Sequence, residues 1–191
     1  MSLIFYDFET TGLNPFHEEI IEYSFYNYTE NTKLTKYIKP TKAIKQIITQ
    51  ITGITNDILR EQNPQIDHIE PIFNFIDAET VFLVAHNNDG FDKFFLRNLF
   101  RPYVELNEKS KKWQYIDTIH FAKMILPGKK GYSLKALCLH FGIAESTHRA
   151  EDDTMALQKV YCKLVAMYCH KNSLKYDEII KNPQVIYDAI Y

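Results

Sequence analysis

The stretch Leu3-Ile4-Phe5-Tyr6-Asp7-Phe8-Glu9-Thr10-Thr11-Gly12 decides the fold class. Leu3 to Glu9 is a mostly apolar, β-favouring run that meets the turn signal Thr10-Thr11-Gly12, which predicts a strand starting almost at the first residue. Ile20 to Tyr28 and Lys33 to Ile38 are rich in Ile, Tyr, Phe and Thr, and the polar Thr29-Glu30-Asn31-Thr32 separates them. They predict an antiparallel hairpin or meander after the first strand.

From Ala43 the pattern turns helical, with Ile44, Ile47, Ile48 and Ile51 spaced for one face. Gly53 interrupts it, and Thr55 is placed to cap a short helix from Asn56 to Glu61. Asp67 to Ala78 is a further helix in spite of Pro71. Thr80 to His86 reads as a near-continuous apolar strand, Phe91 to Phe100 as a helix bounded by Pro102, and Tyr115 to Ile119 as a strand with a possible helical continuation through Phe121 and Met124. Ser133 caps a helix that runs through Phe141 and stops at Gly142, and Glu151 to Lys171 makes the longest helix. Three early strands followed by alternating strands and helices indicate an α/β domain with a central mixed β-sheet flanked by helices. Residues 1–170 are expected to form this domain, and residues 171–191 a helical tail docked on it.

Composition narrows the function classes. The chain has 191 residues, 46% of them hydrophobic, enough for one sizeable core. Its 22 Lys and Arg against 24 Asp and Glu give a formal net charge of −2, which argues against holding nucleic acid by a broad basic surface. A small metal-charged site is compatible with it. Three cysteines with no C-x-x-C pair support neither a disulfide framework nor a Cys-rich zinc site. The expectation is a soluble cytoplasmic protein, with no signal segment and no membrane contact. Because the first acidic motif begins within ten residues of Met1, a stand-alone enzyme or separate subunit is expected.

Asp7 and Glu9 lie two apart on the first strand, so both carboxylates project from one face, in the row of Leu3 and Phe5. Burying two like charges is costly unless something neutralises them, and a hard divalent cation with oxygen ligands does so. The alternative is that strand twist leaves both acids solvated. Asp92 follows the polar turn His86-Asn87-Asn88-Asp89-Gly90 at the start of a helix, where an acid is favoured by unpaired N–H groups. Asp153 recurs at helical spacing with Leu157, Val160 and Leu164, which places a carboxylate on an apolar, core-facing stripe where it needs a partner. Glu151 and Asp152 lie off the stripe and are expected to be solvated. His148, five residues before Asp153, has the chemistry of a general base.

Asp7-Phe8-Glu9-Thr10-Thr11-Gly12-Leu13, His86-Asn87 to Phe91-Asp92, and His148-Arg149-Ala150-Glu151-Asp152-Asp153 together resemble the three motifs of the DEDDh family of 3′-to-5′ exonucleases, which adopt a ribonuclease H-like fold. The similarity extends through Ile51-Thr52-Gly53-Ile54-Thr55, Asp117-Thr118 and Tyr132-Ser133-Leu134. The middle motif is one residue longer than in many bacterial proofreading members and looks closer to three-prime repair exonucleases. The last motif resembles bacterial proofreading domains and oligoribonucleases, which leaves the subfamily open.

The resemblance implies two Mg²⁺ or Mn²⁺ ions held by Asp7, Glu9, Asp92 and Asp153, with His148 as general base. It implies hydrolysis of terminal phosphodiesters at single-stranded or frayed 3′ ends, DNA favoured, with release of nucleoside 5′-monophosphates. An oligoribonuclease-like action on short RNA and a non-catalytic accessory role beside a polymerase are the alternatives. Thr10, Leu13, His86 and Asn87 are implied to line the pocket for the last nucleotide, with Leu13 either a wedge between bases or an ordinary turn residue packed on the sheet. Phe16 is an additional stacking candidate. Lys109, Lys111 and Lys112, beside Trp113, and Lys129 and Lys130 are read as short basic loops, either tracking phosphates or merely solvated.

Overall fold

In the computed structural model, which describes residues 1–144 and 149–191, the opening stretch forms β1 (Ser2–Thr10), the middle strand of a five-stranded sheet. It is followed by β2 (Ile20–Asn27) and β3 (Thr32–Tyr37), then α1 (Gln46–Thr52), α2 (Asn56–Arg60) and α3 (Ile66–Ile76). Next come β4 (Val81–Ala85), α4 (Asp92–Phe100), α5 (Val104–Ser110), β5 (Gln114–Asp117) and α6 (Thr118–Ile125). The chain continues through α7 (Leu134–Phe141), α8 (Ala150–Asn172), α9 (Tyr176–Ile180) and α10 (Gln184–Ile190). The sheet order is β3-β2-β1-β4-β5. β1, β2 and β3 form the expected antiparallel meander, whereas β4 and β5 run parallel to β1, so the sheet is mixed.

Alternation along β1 builds two cores, because successive side chains point to opposite faces. Leu3 and Phe5 join Phe82, Val84 and Ile116 under α6, α7 and α8. Ile4, Tyr6 and Phe8 join Phe25, Leu83 and Trp113 against α3 and α4. Because β1, β4 and β5 are parallel, Glu9, His86 and Asp117 emerge at the same end of the sheet. Candidate chemistry therefore gathers at that end.

Local signals set several boundaries. Thr55 Oγ1 accepts from Ile58 N at 3.3 Å and Ser133 Oγ from Ala136 N at 3.2 Å, the expected N-caps of α2 and α7. Gly142, with φ of 63°, ends α7 in a left-handed conformation that costs glycine little. Three expectations change. The strand expected through Ile119 stops at Asp117, whose carboxylate accepts the Ile119 N–H at 2.8 Å and starts α6. The four isoleucines expected to share one face divide, since Ile44 is buried with Ile21, Ile54 and Leu59 while Ile47 and Ile51 are exposed. Lys109, read as part of a basic loop, lies in the helix α5. In the tail, Ile179, Ile180 and Ile186 are buried in the same cluster as Phe82 and Leu164. No helix among the described residues is long and apolar enough to cross a membrane.

Candidate active site

The β1 pleat carries Asp7 and Glu9 to the face covered by α8, and Asp153 in the first turn of α8 comes down onto them. Carboxylate oxygens of these three residues lie within 4.8 Å of one another. The apolar stripe below Asp153 enforces this approach, because Leu157, Val160 and Leu164 are all buried against the sheet. Glu151 and Asp152 are exposed, as their position off the stripe predicts. Asp92, 3% exposed at the first turn of α4, stands beside the trio rather than within it. The backbone N–H groups of Asp92 itself and of Phe8 face its carboxylate and favour its charged form.

The electrostatics follow from this crowding. Burial, then the charges of Asp92, Glu9 and Asp153, raise the Asp7 carboxyl well above the usual carboxylate range. Burial and the neighbouring Asp153, Glu22 and Asp92 push Glu9 up to about 8. Burial raises Asp92 to about 8 against the opposing pull of the backbone N–H groups of Asp92 and Phe8. Hard oxygen donors that repel one another at short range are the donor set a divalent cation satisfies, so the residues present fit such an ion.

The remaining expected residues fall in different places. His148 lies outside the described residues. The Thr10 hydroxyl donates to Gly12 C=O at 2.7 Å and shapes the turn after β1. That turn presents Leu13, 84% exposed, so Leu13 does not pack on the sheet; Phe16 beyond it is also exposed. Asn87 is exposed, with a positive φ of 65°. His86 Nδ1 is 2.9 Å from Thr118 Oγ1, and burial lowers the imidazole pKa, which favours the neutral ring. Of the lysines read as a basic loop, Lys111 and Lys112 do lie in the turn after α5, whereas Lys109 does not. Lys109 lies within α5 and pairs with Glu105, Lys111 pairs with Glu108, and Lys112 with Asp77. Trp113 beside them precedes β5, at the opposite end of the sheet from the acids. Lys129 and Lys130 follow α6 as a loop.

Sequence reasoning passed over three residues that organise the site. Asn88, fully buried, accepts from Tyr6 Oη at 2.5 Å and donates to the carbonyls of Leu83 and Ile116, each at 3.1 Å. Asp117 accepts the N–H groups of Asn87 at 3.1 Å and Asp89 at 3.0 Å, fixing the turn that leads to Asp92. Glu22, directly opposite Glu9 in the β1–β2 register, is buried and pairs with Arg149. The only advance signal was the Asp117-Thr118 dipeptide among the resembling segments. Asp89, Asp117 and His120 also approach within 4.8 Å of one another. There, however, Asp117 is taken up by backbone N–H groups and Asp89 by Lys93 and Tyr191.

Comparison with known proteins adds four findings. The profile of a family described as exonuclease matches residues 4–161. The DNA polymerase III PolC-type of Mycoplasma genitalium is 32% identical over 166 residues, covering 84% of this chain and 11% of the polymerase. The chloroplastic and mitochondrial exonuclease DPD1 of Arabidopsis thaliana is 31% identical over 183 residues, 86% of this chain and 56% of that protein. This chain thus spans about a ninth of that polymerase and just over half of the plant exonuclease. Among solved structures, the zinc-bound complex of Escherichia coli exonuclease I with single-stranded DNA superposes with a TM-score of 0.71 at 19% identity, covering 94% of this chain and 43% of that one. At that identity the likeness establishes the shared fold, a ribonuclease H-like mixed sheet flanked by helices.

Proposed function

We propose, from the premise that this chain belongs to the exonuclease family, that it hydrolyses the terminal phosphodiester at single-stranded or frayed 3′ ends of DNA and releases nucleoside 5′-monophosphates. One observation carries the proposal: Asp7, Glu9 and Asp153 converge within 4.8 Å at the end of the sheet, with Asp92 alongside. In this reading those four acids hold two Mg²⁺ or Mn²⁺ ions. When bound, such ions stabilise the charge on the attacking and leaving oxygens of an in-line displacement.

The chain's own residues supply the rest. Asp7, at the centre of the sheet, would hold the ions together with Glu9 and Asp153, which would also orient the attacking water, and Asp92 would support them from alongside. His148 accepts the water's proton. Leu13, exposed at the tip of the turn after β1, inserts between the last two bases, while Thr10, His86 and Asn87 line the terminal nucleotide's pocket. The neutral state favoured for His86 suits a hydrogen-bonding role better than a phosphate-binding cation. The polymerase relatives and the exonuclease I–DNA complex support a single-stranded DNA substrate and a polymerase as candidate partner.

The test is a panel of 5′-labelled substrates with Mg²⁺ or Mn²⁺: single-stranded DNA, matched and mismatched duplex ends, RNA and dinucleotides. Expected are shortening from the 3′ end with mononucleotide release, arrest by EDTA, and near-complete loss of turnover in Asp153→Asn with the circular dichroism spectrum retained. Full activity of a folded Asp153→Asn variant would refute the assignment.

A further inference from the structure

Glu22 lies directly opposite Glu9 in the β1–β2 pair and is 2% exposed, a position where two carboxylates repel each other. It is engaged on the side of α8 instead. Arg149 Nη2 donates to Glu22 Oε1 at 3.0 Å, Arg149 Nε to Oε2 at 3.3 Å, and the Ala150 N–H to Oε2 at 3.2 Å. The guanidinium also lies 5.3 Å from the centroid of the Tyr37 ring and donates to Tyr37 Oη. Tyr37 is opposite Glu22 in the β2–β3 register, so Glu9, Glu22 and Tyr37 form one row across three strands.

This row meets the helix that delivers Asp153. Arg149 occupies the N-cap position of α8 and offers no side-chain cap of its own. Glu22 supplies the acceptor and the negative charge from the sheet, which a helix N-terminus favours. Asp153 N–H bonds Arg149 C=O at 3.0 Å, so the turn that begins at the clamp is the turn that carries the third carboxylate.

Resting on the nuclease reading above, we propose that Glu22 and Arg149 form a positioning pair. The two-pronged contact fixes the first turn of α8 on β2 and so holds Asp153 at the distance from Asp7 and Glu9 that a shared divalent ion requires. Arg149 also cancels the Glu22 charge, leaving the remaining negative charge for the ion. Lysine presents a point charge without the planar fork and does not reproduce this geometry.

The test uses the full chain and the variants Arg149→Met, Arg149→Lys and Glu22→Gln. Three quantities are measured: the melting temperature without metal, Mn²⁺ affinity without nucleic acid from the electron paramagnetic resonance signal of free Mn²⁺, and kcat and KM on a 5′-labelled single strand. In Arg149→Met and Glu22→Gln, Mn²⁺ affinity and kcat should each fall about 10-fold to 100-fold with KM nearly unchanged, and Arg149→Lys should recover only part of the loss. Unchanged Mn²⁺ affinity in a folded Arg149→Met variant overturns the proposal, whatever its melting temperature. Should that variant fail to fold, Glu22→Gln, which keeps an oxygen for the Ala150 N–H, decides in the same way. If the wild type binds Mn²⁺ yet releases no nucleotide from any substrate, the nuclease reading fails, while the Mn²⁺ comparison still decides the pair.

Discussion

At the scale of single residues, the side chain that holds the site's floor is Asn88 rather than its neighbours His86 and Asn87. Its amide ties β1, through the Tyr6 hydroxyl, to the carbonyls of Leu83 in β4 and Ile116 in β5. Three buried polar groups would lose their partner together in Asn88→Ala, and an unpaired buried group costs about 1–3 kcal/mol. With partial relaxation, Asn88→Ala should lower unfolding stability by about 2–4 kcal/mol, read as a lower urea midpoint at unchanged slope. A loss below about 0.5 kcal/mol, the range of an ordinary surface change, would show that Asn88 is no tie. Sequence could not rank Asn88 above Asn87, because its partner Tyr6 is 82 positions away. Glu22 was hidden for the same reason, since Arg149 lies 127 positions along the chain. Asp7, Glu9 and Asp153 were legible because strand and helix periodicities are local and already put each carboxylate on an apolar row.

At the scale of elements, legibility tracked how much of the determining chemistry is local. The caps Thr55 and Ser133 and the stop at Gly142 act within one turn and lie where the residues predict them. The short helix α5 carries no apolar stripe to announce it: Val104 is 77% exposed, and the Glu105–Lys109 pair lies on its surface. Around α1 the apolar spacing overstates burial, because only Ile44, which precedes the helix, and Ile48 within it reach the small cluster of Ile21, Ile54 and Leu59. This division is testable. Ile44→Ala should cost about 2–4 kcal/mol by leaving a cavity, whereas Ile47→Lys or Ile51→Lys should change stability by no more than about 0.5 kcal/mol. Chemical denaturation of the three variants checks the order, and a large loss in either lysine variant would mean that this face is covered. For the tail, Ile186 and its neighbours sit in the β1–α8 core, and we propose that residues 171–191 unfold together with residues 1–170 rather than separately.

At the scale of the whole molecule, a net charge of −2 conceals a concentration of acids at one end of the sheet. Glu9 is pushed up to about 8 by burial and its acidic neighbours, from an ordinary value of 4.5, and Asp7 and Asp92 move in the same direction. A group whose folded pKa is raised contributes stability that is complete below its unfolded pKa and is lost as pH rises through its folded pKa. For Glu9 that window runs from about 4.5 to about 8. The buried His68 and the half-buried His86 act oppositely: their pKa values are lowered by desolvation, so their share is present above about 6.5 and is lost as pH falls. The metal-free melting temperature should therefore fall between pH 6.5 and 8.5, and Glu9→Gln, which cannot ionise, should flatten that fall. Millimolar Mg²⁺ or Mn²⁺ should reverse it, and the increment should grow with pH because binding requires ionised carboxylates. Thermal scans across pH, with and without the ion, measure all three quantities. A Glu9→Gln profile parallel to the wild type, together with a metal increment independent of pH, would show that the acids are not the groups that couple folding to the ion.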